Sequence, residues 1–226
     1  MGKPLCLIVP SRGRPANVQR LTEAVEQTSL GEAQLVVGID DNDPERAGYV
    51  DVPCVKVMLA GHPTMIDKLN SIATYEAQGY EFIGFAGDDH VPRTRGWDKD
   101  IIEALDRLPG PGIVYCNDLF QGPNLPTSVF MHSSIVLALG WMAPPTLQHL
   151  YCDNAWKALG EALGSIRYLP DVVIEHVHPH AGKAESDEQY ERVNSGERYA
   201  ADKAAFDHWF EYELAMNVDT IRRYAG

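Results

Sequence analysis

The chain has 226 residues, an ordinary apolar share of 45% and a net charge of −13. That length buries roughly two thirds to three quarters of the extended surface, so folding needs no disulfide staple. The acidic balance repels nucleic acid at long range, though it leaves room for a local basic groove. The four cysteines form no CxxC pair and sit in or beside apolar runs, as small hydrophobes in a reducing compartment do. The N-terminal apolar patch is too short for a signal peptide, and no apolar run approaches the ~18 residues of a membrane span. These features predict a cytoplasmic protein without membrane contact.

LCLIV at 5–9 is an apolar run closed by Pro10, the pattern of a buried strand. The polar stretch SRGRP follows as a loop. Residues 16–28 carry Val18, Leu21 and Val25 at helical spacing. QLVVGID at 34–40 predicts a second strand, which ends in DDNDPE, a turn crowded with carboxylates. A weak alternation predicts a third strand at 52–59, and Met65, Leu69, Ile72 and Ala73 give a helix over 64–78. YEFIGF at 80–85 is a fourth strand leading into AGDDH; a helix at 97–107 and a strand at 113–116 complete the first half.

The second half is less regular. Residues 119–128 read as an extended loop, and SSIVLALG at 133–140 as a short strand or a helix. A helix is predicted over 153–163 with Asp153 as its N-cap, a strand over 171–178, a polar loop over 179–189 and helical texture over 197–224. Helices alternating with apolar strands predict an α/β fold in three layers, a mostly parallel central sheet covered by helices on both faces. In such sheets ligands bind beyond the carboxyl ends of the strands. The polar loops after strands one, two and four therefore converge on one site.

The chemistry follows from the residues in those loops. Asp88 and Asp89 are adjacent carboxylates that a cation would reconcile. Mn²⁺ and Mg²⁺ take oxygen ligands of this kind, with Asp89 as the direct ligand and Asp88 reaching a sugar hydroxyl or a metal-bound water. A solvated turn with an Asp cap is the plainer reading of the same pair. Asp40, beside Asp41, can accept from a ribose hydroxyl or a base N–H; an Asx-rich turn is the plainer alternative. Arg12 and Arg14, beside Pro10 and Ser11, offer bidentate contacts to phosphate, and Lys68 lies on the helix beside both loops. The loop is no P-loop, and GxGxxG is absent. His176 and His178 share one strand face and can complete a metal shell, with His178 preferred; His180 and Lys183 can reach phosphate. Asp153, at a helix start where charge is favoured, is a candidate general base ionised at neutral pH. Trp141 and Trp156 are candidate walls of an acceptor pocket.

Taken together, IVPSRGRP (8–15), VGIDDNDPE (37–45), DKLN (67–70) and FAGDDH (85–90) resemble, in order and spacing, the motifs of GT-A-fold glycosyltransferases, closest to family 2. The resemblance covers residues 4–120. It implies a Rossmann-like catalytic domain over 1–226, with a donor half at 1–120 and an acceptor half at 121–226. It further implies a nucleotide-sugar donor, by expectation a UDP-sugar, and Mn²⁺ or Mg²⁺. The Pro10–Arg14 loop and Asp40 would hold the nucleoside, and Asp89 the metal that bridges the diphosphate. YCDNAW (151–156) resembles the element carrying the acceptor-side base of inverting members, with Asp153 in that role. EHVHPH (175–180) offers the C-terminal histidine ligand. Two departures stand out: Gly87 replaces the first Asp of Asp-x-Asp, and the acceptor-side element lacks the usual Glu-Asp. The acceptor is a hydroxyl on a glycan, on a small molecule or on a modified base in DNA, since small stand-alone transferases of this kind resemble those of some phages. A sugar-phosphate nucleotidyltransferase and a nucleotide-sugar-binding domain without catalysis are the rival readings.

Overall fold

The structure, a computed structural model, describes residues 3–177 and 196–226. In chain order the elements are β1 (Leu5–Ser11), α1 (Pro15–Thr28), β2 (Ala33–Asp40), β3 (Val55–Leu59), α2 (Met65–Glu76), β4 (Phe82–Phe85) and β5 (His90–Pro92). They continue with α3 (Trp97–Asp106), β6 (Ile113–Asn117), β7 (Val129–His132), α4 (Ser133–Leu139), α5 (Cys152–Leu163), β8 (Ile166–His176), α6 (Gly196–Tyr212) and α7 (Leu214–Ala225). The strands form one sheet in the order β3-β2-β1-β4-β7-β6-β8-β5. The β3, β2, β1 and β4 block is parallel. β7 enters antiparallel between β4 and β6, β8 runs parallel to β6, and β5 is an antiparallel edge strand. The expected α/β fold is thus present as a mixed, mostly parallel sheet.

Strand alternation builds two cores. Cys6 and Ile8 point to the layer of α2, α4, α5 and α7, where they meet Leu69, Val136, Trp156 and Ile221. Leu5, Leu7 and Val9 point to the opposite layer of α1 and α3, among Val18, Leu21, Ile101 and Leu105. Because β7 reverses once and β6 reverses again, β6 and β8 run in the same sense as β4. The carboxyl ends of β1, β2, β4, β6 and β8 therefore share one edge of the sheet, and β5 starts from that edge.

Several boundaries differ from expectation. β1 continues through Pro10 to Ser11. β4 ends at Phe85, two strand positions short of Pro10, so β1 has only β2 beside it there and the missing N–H costs little. Residues 133–139 are helix, stopped by Gly140 in the left-handed region. β5 and β7 escaped sequence reading because three and four residues carry too little alternation. β8 begins at Ile166 rather than 171, and its pairing with β6 jumps from Leu169 to Val173 across a bulge. Asp153 is not an N-cap. The α5 helix starts at Cys152, and its N-cap is Tyr151, held at φ 63. Among the described residues no helix is long and apolar enough to cross a membrane.

The β4–β7 junction is a tight approach within the sheet. Gly84 pairs with Phe130, and a Cβ on Gly84 would lie 2.4 Å from the Phe130 ring. Gly84→Ala is expected to destabilise the chain by about 1–3 kcal/mol through overpacking. Urea unfolding measures it, as a lower midpoint with an unchanged slope.

Candidate functional site

A cleft of about 770 Å³ opens at the shared sheet edge. Its wall includes Pro10, Ser11, Arg12, Arg14, Asp40, Asp41, Lys68, Asp88, Asp89, Asp153 and His176. These eleven residues expected at a site are thus brought together. His178, His180 and Lys183 lie outside the described residues.

The loop after β1 is tied to two others. Arg12 Nη1 donates to Asp40 Oδ2 at 2.7 Å, and Lys68 Nζ donates to the same oxygen at 3.0 Å. Asp40 and Lys68 are both buried, so this is a paired charge that fixes the carboxylate at the end of β2. Arg12 also donates to Asn42 Oδ1 at 2.6 Å, and the Gly13 N–H to Asp43 Oδ2 at 2.8 Å. Asp41 stays exposed on the rim. The loop's other link runs through a residue that the motifs did not single out. The Arg14 N–H donates to Tyr49 Oη (2.9 Å), which contacts Ser11 Oγ (3.0 Å), which donates to Asp88 Oδ2 (2.6 Å). Burial pushes the Tyr49 phenol up to about 12. Arg14 Nη1 lies 3.5 Å from Asp88 Oδ1.

The two neighbouring carboxylates face different partners. Asp88 turns toward Ser11, Arg14 and Asn17, yet burial and the charge of Asp89 push it up to about 6. Asp89 turns toward two imidazoles, with His90 Nδ1 at 3.2 Å from Oδ1 and His176 Nε2 at 3.3 Å from Oδ2. Burial opposes its charge, but the hydrogen bond from His176 and the two neighbouring imidazoles outweigh that and hold it well below the ordinary carboxylate range. His90 and His176 are directly opposed in the β5–β8 ladder, and their rings stack at 4.2 Å. Asp89, His90 and His176 offer ligand atoms within 4.8 Å of one another.

A fit test for a divalent ion comes from Gly87. A Cβ there would lie 2.6 Å from Asp89 Oδ1 and 3.0 Å from His90 Nδ1, filling the cradle those atoms form. Any side chain at position 87 would intrude on this donor set. One carboxylate and two imidazoles suit a divalent ion. His90 escaped the motif reading. Its only sequence signal was its place directly after Asp89, with no element assigned to it.

The opposite wall comes from the loop before α5 and from α6. Asp202, buried on α6, accepts the N–H groups of Gln148, His149 and Leu150 at 3.0, 3.0 and 2.8 Å. Tyr151 follows, stacked against Phe206 at 5.6 Å and edge-on to Tyr199 at 5.3 Å. Arg198 donates to Gln148 Oε1. Asp153 therefore sits in the first turn of α5, half-buried, with Oδ1 accepting the Asn154 N–H at 2.9 Å. Burial raises its pKa, which hydrogen bonds from backbone N–H groups and the charge of His176 offset only in part. Trp156 lines the cleft and donates from Nε1 to Met142 O at 2.8 Å, while Trp141 lies away from it. Asn70 also turns away, binding the backbone of Met142 and Ala143.

No protein-family model matches the chain, and no curated protein matches it. Solved structures do. A mannosyltransferase of Pyrobaculum calidifontis in complex with GDP-Man and Mn²⁺ matches 99% of this chain and 74% of its own, at 13% identity and a TM-score of 0.62. Residues 1–349 of S. aureus TarS with UDP-GlcNAc match 95% of this chain and 74% of their own, at 14% identity and a TM-score of 0.55. Glucosyl-3-phosphoglycerate synthase of Mycobacterium tuberculosis, with Mn²⁺, UDP and phosphoglyceric acid, matches 88% and 77%, at 11% identity and a TM-score of 0.62. The shared property is the fold, a GT-A-like arrangement.

The raised pKa of Asp88 has a consequence for stability. A carboxyl that binds its proton more tightly when folded stabilises the chain fully below the unfolded value of about 4. That contribution is lost as pH rises through about 6. In the presence of a chelator, this group alone lowers stability by on the order of 3 kcal/mol across that window, while the buried His149, its pKa lowered to about 4, contributes in the opposite sense. The stability difference between the parent and Asp88→Asn should therefore move in the variant's favour as pH rises through the window, which thermal unfolding of both at a series of pH values measures.

Proposed function

We propose that the chain is a metal-dependent glycosyltransferase that moves a sugar from a nucleotide-diphosphate donor, by preference a UDP-sugar, to an acceptor hydroxyl with inversion. The observation that carries this reading is the convergence in one cleft of Ser11, Arg12, Arg14, Asp40, Lys68, Asp89, His176 and Asp153. The fold's likeness to transferases solved with GDP-Man and UDP-GlcNAc agrees with it. On this reading residues 1–120 form the donor half of one catalytic domain over 1–226, and residues 121–226 the acceptor half.

Asp40, held at Oδ2 by Arg12 and Lys68, accepts from the nucleoside. Arg14, drawn toward Asp88, lies where a diphosphate oxygen can use its guanidinium. Asp89 and His176 hold a divalent ion, Mn²⁺ or Mg²⁺. Such an ion, when bound, supplies positive charge against the departing diphosphate. Asp88 braces the Ser11–Tyr49 chain rather than offering a direct ligand. Asp153 takes the proton of the acceptor hydroxyl as that oxygen attacks C1 and the C1–O bond to the diphosphate breaks. Its raised pKa makes it a stronger base than an exposed carboxylate, and it moves the acid limb of activity upward in pH. The acceptor is a small hydroxyl compound, a glycan or a modified pyrimidine in DNA.

Two measurements test the assignment. In millimolar Mn²⁺, UDP should raise the melting temperature; at 100 times its Kd the linkage is about 2.7 kcal/mol. Asp89→Ala should abolish that shift, and unchanged Mn²⁺-dependent UDP affinity by calorimetry would remove Asp89 from the site. For the base, Asp153→Asn keeps the acceptor for the Asn154 N–H and removes the proton acceptor. It should lower kcat by roughly 10² or more while UDP binding and melting temperature stay near the parent values. A screen of donors with mass detection of released sugar supplies the assay, and turnover within a few-fold of the parent would exclude Asp153.

A further inference from the structure

Within the proposed metal site, the hydrogen bonds around His90 specify more than its position. The Gly87 N–H can only donate, and it points at His90 Nδ1 from 3.1 Å. Nδ1 is therefore the unprotonated nitrogen, with its lone pair on the Asp89 side of the ring. The proton then belongs on Nε2, which faces Thr127 Oγ1 at 3.4 Å. Thr127 Oγ1 in turn donates to Asp118 Oδ2 at 2.8 Å, which leaves the hydroxyl oxygen as acceptor for Nε2–H. Asp118 is fully buried, and its other oxygen accepts the N–H groups of Phe120, Gln121 and Gly122 at 3.0, 2.8 and 2.8 Å. A buried carboxylate, a hydroxyl and an imidazole thus form one directed chain ending in the Nδ1 lone pair.

That lone pair meets a second acceptor. Asp89 Oδ1 is 3.2 Å from Nδ1, and in this tautomer no hydrogen lies between them. His176 Nε2 approaches the other Asp89 oxygen at 3.3 Å, with its ring stacked on His90. Two acceptors held at this distance by separate networks are an arrangement that a shared cation relieves.

We infer that His90 is a third ligand beside Asp89 and His176, and that this two-imidazole, one-carboxylate set selects a first-row transition ion over Mg²⁺. Asp118 and Thr127 are the residues that position the His90 ring. The inference rests on the reading that the cleft binds a divalent metal. Mg²⁺ takes oxygen ligands and sheds water reluctantly, so each imidazole nitrogen weakens its standing against softer ions. Among the latter, affinity for a nitrogen-bearing site rises from Mn²⁺ to Co²⁺. Loading an ion on Nδ1 takes the lone pair away from the Gly87 N–H. A glycine, free of side-chain contacts, lets that peptide turn aside.

The test uses the full chain and metal binding rather than turnover. Calorimetric titration of Mn²⁺, Co²⁺ and Mg²⁺, with and without UDP, should rank Co²⁺ above Mn²⁺ and Mn²⁺ at least tenfold above Mg²⁺. In the Mn²⁺ form, electron spin-echo modulation should show two imidazole ¹⁴N couplings. His90→Gln should leave one coupling and compress the Mn²⁺ to Mg²⁺ ratio several-fold, whereas Asp89→Asn should lose both ions. His90 is buried, so Thr127→Val supplies a second test that leaves the ring in place. It should weaken Mn²⁺ about tenfold with little change for Mg²⁺, in the range typical of outer-shell partners, and Thr127→Ser should restore it. If the parent binds Mn²⁺ through Asp89 while His90→Gln keeps both the ratio and the two couplings, His90 is not a ligand and the metal-dependent reading stands. If Thr127→Val weakens both ions alike, or neither, the positioning chain is wrong. Absence of any Mn²⁺ binding by the folded parent, with or without UDP, overturns the ligand assignment and the metal reading together.

Discussion

Asp88 and Asp89 are adjacent carboxylates at the end of a strand whose surroundings exclude most solvent, and the site is organised around separating them. Like charges this close raise one another's pKa unless each has its own compensation. The turn from Gly87 to His90, closed by the His90 N–H on the Gly87 carbonyl, sends the two side chains to different networks. Asp88 receives hydroxyl, amide and guanidinium groups from the β1 loop and α1. Asp89 receives the histidines of β5 and β8. The compensation is unequal, which is why one carboxyl is pushed up to about 6 and the other is held low.

This separation links elements that are remote in sequence. The Arg14–Tyr49–Ser11–Asp88 chain joins the loop after β1 to the segment between β2 and β3, and to the end of β4. Arg12 and Lys68 pin Asp40 from two further elements. In a chain of net charge −13, Arg12, Arg14 and Lys68 are thus already matched to acids and held in place. Binding then avoids much of the cost of ordering long flexible side chains. The opposite wall is held from α6, where Asp202 gathers three loop N–H groups and Tyr199 and Phe206 pack on Tyr151. Those contacts stabilise a tyrosine in the left-handed region, a conformation that costs roughly 1–2 kcal/mol. They also set the start of α5 and with it the direction of Asp153.

Much of the first half was legible because its elements are long and their patterns unambiguous. The apolar run at 5–9, the helical stripe of Val18, Leu21 and Val25, and the strand ending in Asp40 each report a local period that burial on both sheet faces enforces. The polar loops that follow such strands must lie at the carboxyl edge, so Ser11, Arg12, Asp40, Asp88 and Asp89 were recognisable together. The second half was less legible. VFMH and HVP are too short to show a period, and the start of β8 is broken by Pro170 and a bulge. Asp153 was located in the right element but misassigned as its cap, because the left-handed turn at Tyr151 depends on aromatic partners some 50 residues away on α6.

By itself the sequence determined the α/β class, the parallel block of strands and the acidic and basic loops along its edge. These follow from local periodicity and from the rule that polar loops end buried strands. Only the tertiary structure decided which side chains meet. The β5–β8 register sets His90 directly against His176, and no local pattern encodes a pairing between residues more than 80 positions apart. The same holds for Tyr49, Asp118 and Thr127, ordinary polar residues until the fold carries them beside Ser11 and His90. Their roles depend on hydrogen-bond direction in a buried space, and burial is a property of the assembled sheet rather than of any segment of the chain.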